Sequence, residues 1–203
     1  MTSRVEFFFD VGSPASYLAW TQLPALCERA GAELVYRPIL LGGVFQATGN
    51  ASPAAVPAKG AYTRVDLARH AARHGVPLAH NPFFPIITLT LMRAAAGVQM
   101  HMPERFQDYL GAVFSALWVE ALDLNQPALV AAVLEQGGFV PAAILALASD
   151  AEVKAQLRKT TDEAVARGVF GAPTMFVRDE LFFGQDRLEF VRDALRDGYI
   201  PQT

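Results

Sequence analysis

The strand signal in this chain is confined to its two ends, and any fold must join them. Val5-Glu6-Phe7-Phe8-Phe9-Asp10 has the aromatic and β-branched content and the short length of a central strand. Glu33-Leu34-Val35-Tyr36-Arg37-Pro38 reads as a second. Between them, Leu18, Leu23, Leu26 and Cys27 recur at helical spacing from Tyr17 to Ala30, and Gly31 supplies a stop. This β-α-β unit implies a parallel strand pair joined by a right-handed crossover. The next strand signal is Pro173-Thr174-Met175-Phe176-Val177-Arg178, a turn at Asp179-Glu180, then Leu181-Phe182-Phe183 and Gly184, which reads as a hairpin. A last helix is predicted from Asp186, where Asp186-Arg187-Leu188-Glu189 has capping-box spacing and Leu188, Val191 and Leu195 form an apolar face.

The stretch between the ends has a different character. A loop rich in Gly, Asn, Ser and Pro is predicted from Gly42-Gly43 through Gly49-Asn50-Ala51-Ser52-Pro53 to Pro57, and long loops of this kind in a compact domain are functional or mobile. From Lys59 to about Gly168 the pattern is Ala-rich and Leu-rich helix, with starts marked by Pro103, Pro127 and Pro141 and by a capping box at Ser149-Asp150-Ala151-Glu152. The plan is β-α-β, helical block, β-β-α. That order implies an α/β, thioredoxin-like fold with a large inserted all-helical domain: residues 1–42 and 169–203 form the discontinuous sheet domain and 43–168 the helical insertion.

Composition excludes several classes of function. The 203 residues are 52% apolar and 18% charged with net charge −3, which suits a folded core and leaves no basic run for a phosphate backbone. Nucleic acid is not an expected partner. Met1-Thr2-Ser3-Arg4 leads directly into a strand without the apolar region of a signal peptide, so a cytoplasmic location is expected. Arg, Glu, Pro and Gly interrupt the apolar segments too often for a membrane span. Cys27 is the only cysteine, so the chain has neither an intrachain disulfide nor a Cys-x-x-Cys couple, and Cys27 reads as a small buried hydrophobe.

Three segments carry candidate chemistry. Ser13-Pro14 stands at a strand-to-helix junction, where Ser at the N-cap and Pro at the first helical position are structurally preferred. The same position gathers positive partial charge and free N–H groups, which favour an anion such as a thiolate, and a hydroxyl there can donate to it. Residue type leaves both readings open. In Val169-Phe170-Gly171-Ala172-Pro173-Thr174 a proline opens a strand. Either it is an edge-strand proline, or a cis bond before Pro173 frees the Ala172 backbone to pair with an extended ligand. In Phe183-Gly184-Gln185-Asp186-Arg187 the amides of a helix start suit a carboxylate and Asp186 suits an ammonium, although Asp186 is also an ordinary cap.

Together these segments resemble a known family. The run Phe9-Asp10-Val11-Gly12-Ser13-Pro14-Ala15-Ser16-Tyr17-Leu18-Ala19, the stretch Leu41 to Asn50, Ala58-Lys59-Gly60-Ala61-Tyr62 with Asp66-Leu67, and Gly168 to Thr174 with Phe183 to Leu188 are similar to 2-hydroxychromene-2-carboxylate isomerases, which group with kappa-class glutathione transferases and DsbA-like oxidoreductases. The resemblance covers nearly the whole chain. It implies a thioredoxin fold with a helical insertion, glutathione as cofactor, a small aromatic carboxylate as substrate and a homodimer as the usual assembly. Position by position, Ser13 corresponds to the serine that hydrogen-bonds the glutathione sulfur. Ala172, before Pro173, corresponds to the residue whose backbone pairs with the cysteinyl part, and Phe183, Gly184, Gln185 and Asp186 to the segment holding the γ-glutamyl end. Asn50, Lys59 and Tyr62 fall in the loop and helix that cover the site in relatives.

Two departures bear on the substrate. Relatives commonly carry lysine after the Gly-Gly-Val-Phe run, where this chain has Gln46, and asparagine after Phe-Pro-x, where it has Ile87. The expected activity is conversion of 2-hydroxychromene-2-carboxylate, or a close analogue, to trans-o-hydroxybenzylidenepyruvate. The alternatives are a kappa-class-like transferase that conjugates electrophiles and a non-catalytic thioredoxin-like binding module. His70 and His74 lie four apart on a predicted helix, but without a His-Glu-x-x-His motif or an obvious third ligand they imply exposed helical histidines and no metal. Asp66, Arg69 and Arg73 read as a solvated face.

Overall fold

Phe7, Phe8 and Phe9 are all fully buried, so the strand that carries them is covered on both faces. A computed structural model of the chain describes residues 3–196 and Tyr199. The Met1-Thr2 start and residues 197, 198 and 200–203 of the expected sheet domain lie outside the described residues. β1 (Arg4–Phe9) is central in a four-stranded sheet ordered β2-β1-β3-β4, with β2 at Glu33–Pro38, β3 at Thr174–Val177 and β4 at Glu180–Phe183. β1 runs parallel to β2, with Phe7 opposite Tyr36, and antiparallel to β3, with Phe7 opposite Met175. The two ends of the chain therefore meet in one sheet.

Alternation along β1 sorts its side chains between two cores. Phe7 and Phe9 join Met175, Val177, Leu18, Leu23 and Phe114 on one face. Phe8 points the other way, to Phe176, Ile39, Val44, Ala164 and Val169. α3 (Leu41–Thr48) and α9 (Ala151–Ala166) supply Val44 and Ala164 to that second core. The guanidinium of Arg167 stands 3.9 Å from the Phe176 ring centroid and pairs with buried Glu6 at 2.8 Å. Glu6 thus has a partner for its charge at the edge of the core. Truncating any of the three phenylalanines would cost about 3–5 kcal/mol.

The first face is roofed by α1 (Pro14–Trp20), α2 (Leu23–Ala30) and much of the helical segment: α4 (Pro57–His74), α5 (Leu89–His101), α6 (Phe106–Trp118), α7 (Pro127–Gln136) and α8 (Pro141–Ser149). α10 (Leu188–Ala194) follows the hairpin. Among the described residues no single helix is long and apolar enough to cross a membrane.

Several local expectations are corrected. The helix read from Tyr17 to Ala30 is two, broken at Thr21-Gln22, because Pro24 in the first turn of α2 has no N–H to continue the ladder of α1. The stretch from Gly42 read as a loop opens as α3, which buries Val44. Asp150, not Ser149, caps α9, accepting from the N–H groups of Glu152 and Val153. Pro103 begins a short 3₁₀ turn, and α6 starts at Phe106. The hairpin turn is Arg178-Asp179, since Val177 pairs with Glu180. Gln185–Arg187 is likewise a 3₁₀ turn, with α10 starting at Leu188. Asp186 caps nothing there, because its carboxylate is paired with Arg187.

Candidate active site

The turn between β1 and α1 is clamped by the helical segment. The N–H of Val11 donates to Met92 Sδ at 3.3 Å, and Trp118 Nε1–H donates to the Val11 carbonyl at 2.8 Å. Gly12 lies under Thr88: a Cβ there would come within 2.6 Å of Thr88 Cγ2, so only glycine fits. The next residue is Ser13, whose N–H donates to the carbonyl of Asp10 at 3.0 Å. A turn tied at three consecutive residues presents its side chain in a fixed place.

Ser13 is 6% exposed and uses its hydroxyl twice. The oxygen accepts the N–H of Ser16 at 3.1 Å, which is the N-cap bond of α1. The proton goes to the carbonyl of Ala172 at 2.9 Å. Capping and chemistry therefore occupy different halves of one hydroxyl. Pro14 has no N–H, and the amides of Ser16 and Tyr17 are taken, which leaves that of Ala15 as the first-turn amide without a partner among the described residues.

The Ala172–Pro173 bond is cis. The carbonyl of Pro173 accepts the N–H of Gly184 at 3.0 Å, so the hairpin end and the proline turn form one unit. The turn Gln185–Arg187 packs against α1. In this way Ser13, Ala172, Pro173 and the 184–186 segment are brought together. Phe183 lays its ring against Phe170, centroids 4.5 Å apart, and across Gly171, where a Cβ would lie 2.7 Å from Phe183 Cε2. Asn50 joins from the other side, its amide donating to the Phe170 carbonyl at 2.8 Å. Gln185 is buried, and its Oε1 has no hydrogen-bond partner among the described residues.

Lys59 and Tyr62 sit on exposed positions of α4, a helix that packs on α1. No hydrogen bond among the described residues ties either to the Ser13 cluster. His70 and His74 stack at 6.5 Å with His70 near Asp66, and no three metal-ligating side chains gather among the described residues. Cys27 is buried, and burial pushes its thiol up to about 11, so it is not a thiolate at neutral pH. A surface groove of about 500 Å³ on the helical segment, lined by Gln107, Ser115, Glu120 and Gln136 among others, contains none of the site residues.

Asp10 is the residue to which the sequence assigned no role. It is 1% exposed and collects three donors: the N–H of Gly12 at 2.9 Å, the N–H of Leu41 at 2.8 Å and Thr88 Oγ1 at 3.0 Å. Burial nevertheless raises its carboxyl above the usual value, against the pull of those bonds. Asp10 thereby joins the starts of α1, α3 and α5. An acidic residue closing an apolar strand two residues before a Gly-Ser-Pro turn is the signal that could have found it.

Comparison with known proteins shows the family and the fold. Residues 4–196 match the DSBA-like thioredoxin domain family. The chain is 33% identical to a 2-hydroxychromene-2-carboxylate isomerase of Sphingobium xenophagum, over 97% of this chain and all of the relative. It is 29% identical to glutathione S-transferase kappa 1 of Rattus norvegicus, over 98% of this chain and 95% of the relative. A solved structure of a 2-hydroxychromene-2-carboxylate isomerase superposes with TM-score 0.82 at 31% identity, covering 95% of this chain and 94% of that one.

Proposed function

Because the chain belongs to the DSBA-like thioredoxin-domain family and is an enzyme related to isomerases and kappa-class transferases, we propose that it is a glutathione-dependent isomerase acting on 2-hydroxychromene-2-carboxylate or a close analogue. The observation that carries the reading is the Ser13 hydroxyl, buried, held by Ser16 and aimed at Ala172. Glutathione, when bound, supplies the thiol nucleophile that allows a conjugated bond to rotate. The residues present fit it. Gln185 Oε1 is a buried acceptor in need of a donor, as an ammonium would be, and leaving it unmet costs about 1–3 kcal/mol.

Ser13 has two tasks in this scheme. Its oxygen keeps the α1 cap, and its proton turns from the neutral Ala172 carbonyl toward a thiolate. A hydrogen bond to a charged acceptor is roughly twice as strong as one to a neutral acceptor, so the exchange favours the anion. Asn50 ties the loop at Phe170 through its carbonyl, and the Phe170 and Phe183 rings pack together beside the turn.

The test is the ultraviolet spectrum of 2-hydroxychromene-2-carboxylate with enzyme, with and without glutathione, followed by mass spectrometry of the product. A glutathione-dependent change to a product of unchanged mass is expected. A glutathione adduct would make the enzyme a transferase of the kappa type. Absence of any saturable glutathione binding by calorimetry would leave only a binding module.

A further inference from the structure

We propose that Ser16 is a positioning residue for this site: its hydroxyl turns to donate to Ser13 Oγ when Ser13 gives its own proton to a bound thiolate. This rests on the glutathione reading of Ser13.

Ser16 is fully buried, yet its hydroxyl has no hydrogen-bond partner among the described residues. Buried polar groups are nearly always paired, because an unmet one is destabilising. Other helical hydroxyls in this chain follow that rule: those of Thr48, Ser149, Thr160 and Thr161 each donate to the carbonyl four residues back. The Ser16 hydroxyl makes no such bond to Gly12. Capping does not use it either. A capping box would return a bond from this side chain to the N–H of Ser13, but that N–H already donates to the carbonyl of Asp10 at 3.0 Å. The bond that Ser16 does make to Ser13 uses its backbone N–H, which alanine would keep.

The missing acceptor is found on Ser13. Its hydroxyl oxygen carries two lone pairs and one proton. One lone pair takes the Ser16 N–H at 3.1 Å and the proton goes to Ala172 at 2.9 Å, which leaves the second lone pair without a donor among the described residues. Ser16 thus holds a donor without an acceptor, three residues along the same helix turn from an acceptor without a donor. Rotation of χ1 between staggered wells moves the Ser16 hydroxyl while the backbone bond stays in place. A hydroxyl that donates to an anion becomes a better acceptor, so a thiolate at Ser13 increases the gain from that rotation. Ser13 keeps 6% exposure and Ser16 none, so a ligand meets Ser13 and Ser16 acts through it.

Two measurements test this without turnover. In the ligand-free protein Ser16→Ala removes an unmet polar atom, and the melting temperature should hold or rise by up to about 4 °C. In an ultraviolet titration of bound glutathione the same variant should raise the thiol pKa by about half a unit, roughly a three-fold loss of thiolate stabilisation. In a Ser13→Ala background, Ser16→Ala should move the titration no further. The substitution changes no charge, so Asp10, Lys59 and the Asp186–Arg187 pair act equally in both proteins. A melting temperature that falls would show the hydroxyl already partnered in the free protein, and an unmoved titration would show that it does nothing for the thiol; either overturns the proposal. A shift that persists without the Ser13 hydroxyl overturns the route through Ser13. If glutathione does not bind, or Ser13→Ala alone leaves the titration in place, the reading of Ser13 fails and this inference falls with it.

Discussion

The hydroxyl of Ser13 donates to the carbonyl of Ala172 across 2.9 Å, joining residues 159 positions apart in the chain. One bond thus couples the cap of α1 to the cis-proline turn. Ser13→Ala removes both the cap and this link, and should lower stability by about 1–2 kcal/mol in urea denaturation. Turnover should fall about ten- to a hundred-fold, as expected for loss of a hydrogen bond to a charged group worth about 1.5–3 kcal/mol. Wild-type turnover in the variant would remove Ser13 from the mechanism.

Gly12 and Thr88 form a steric pair that a double variant can expose. Gly12→Ala places a Cβ 2.6 Å from Thr88 Cγ2 and should cost about 1–3 kcal/mol. Thr88→Ser removes that methyl and keeps the hydroxyl on Asp10. In the Gly12→Ala background Thr88→Ser should recover most of the loss, read as a coupling energy in a double-mutant cycle. Additive effects would mean that the clash is relieved elsewhere.

Asp10 makes stability depend on pH with a definite sign. Its folded carboxyl lies above the ordinary 3.8, chiefly through burial, so the folded state holds the proton more tightly than the unfolded state. Its contribution is fully present below 3.8 and declines as pH rises through the raised value. Measured against Asp10→Asn at each pH, the stability advantage of the wild type should shrink over that window and then stay level. An advantage that grows with pH would place the folded carboxyl below its ordinary value.

Asn50 is exposed, and among the described residues the hydrogen bond from its side-chain amide to the Phe170 carbonyl is its one tie to the site. Asn50→Ala should therefore change stability by no more than about 0.5 kcal/mol. The KM for glutathione should rise a few-fold, with kcat near the wild-type value, as steady-state kinetics at varied glutathione would show. A fall in kcat at constant KM would instead place Asn50 at the reacting atoms.

The sheet was legible because Phe7, Phe8 and Phe9 sit in a short strand closed by Asp10, and because Phe176 and Phe182 recur where the hairpin falls. α3 was not. Gly42-Gly43 speaks against a helix locally, and what makes one is tertiary: Asp10 takes the first amide, at Leu41, and Val44 is buried under β1. Ser13, Ala172 and Gly184 could each be singled out, but only the family resemblance linked them before the fold brought them together. Thr88 carries no local mark at all. Its importance comes from Gly12 and Asp10, both far away in the chain.

In the proposed function Ser13 tunes a thiol that glutathione brings rather than one of the chain's own. Ultraviolet titration of the thiolate band of glutathione bound to the wild type and to Ser13→Ala tests it directly. The bound thiol should titrate well below the roughly 8.5 of an ordinary cysteine in the wild type and return toward that value by about one unit or more in Ser13→Ala. Identical titrations in the two proteins would rule out that role for Ser13.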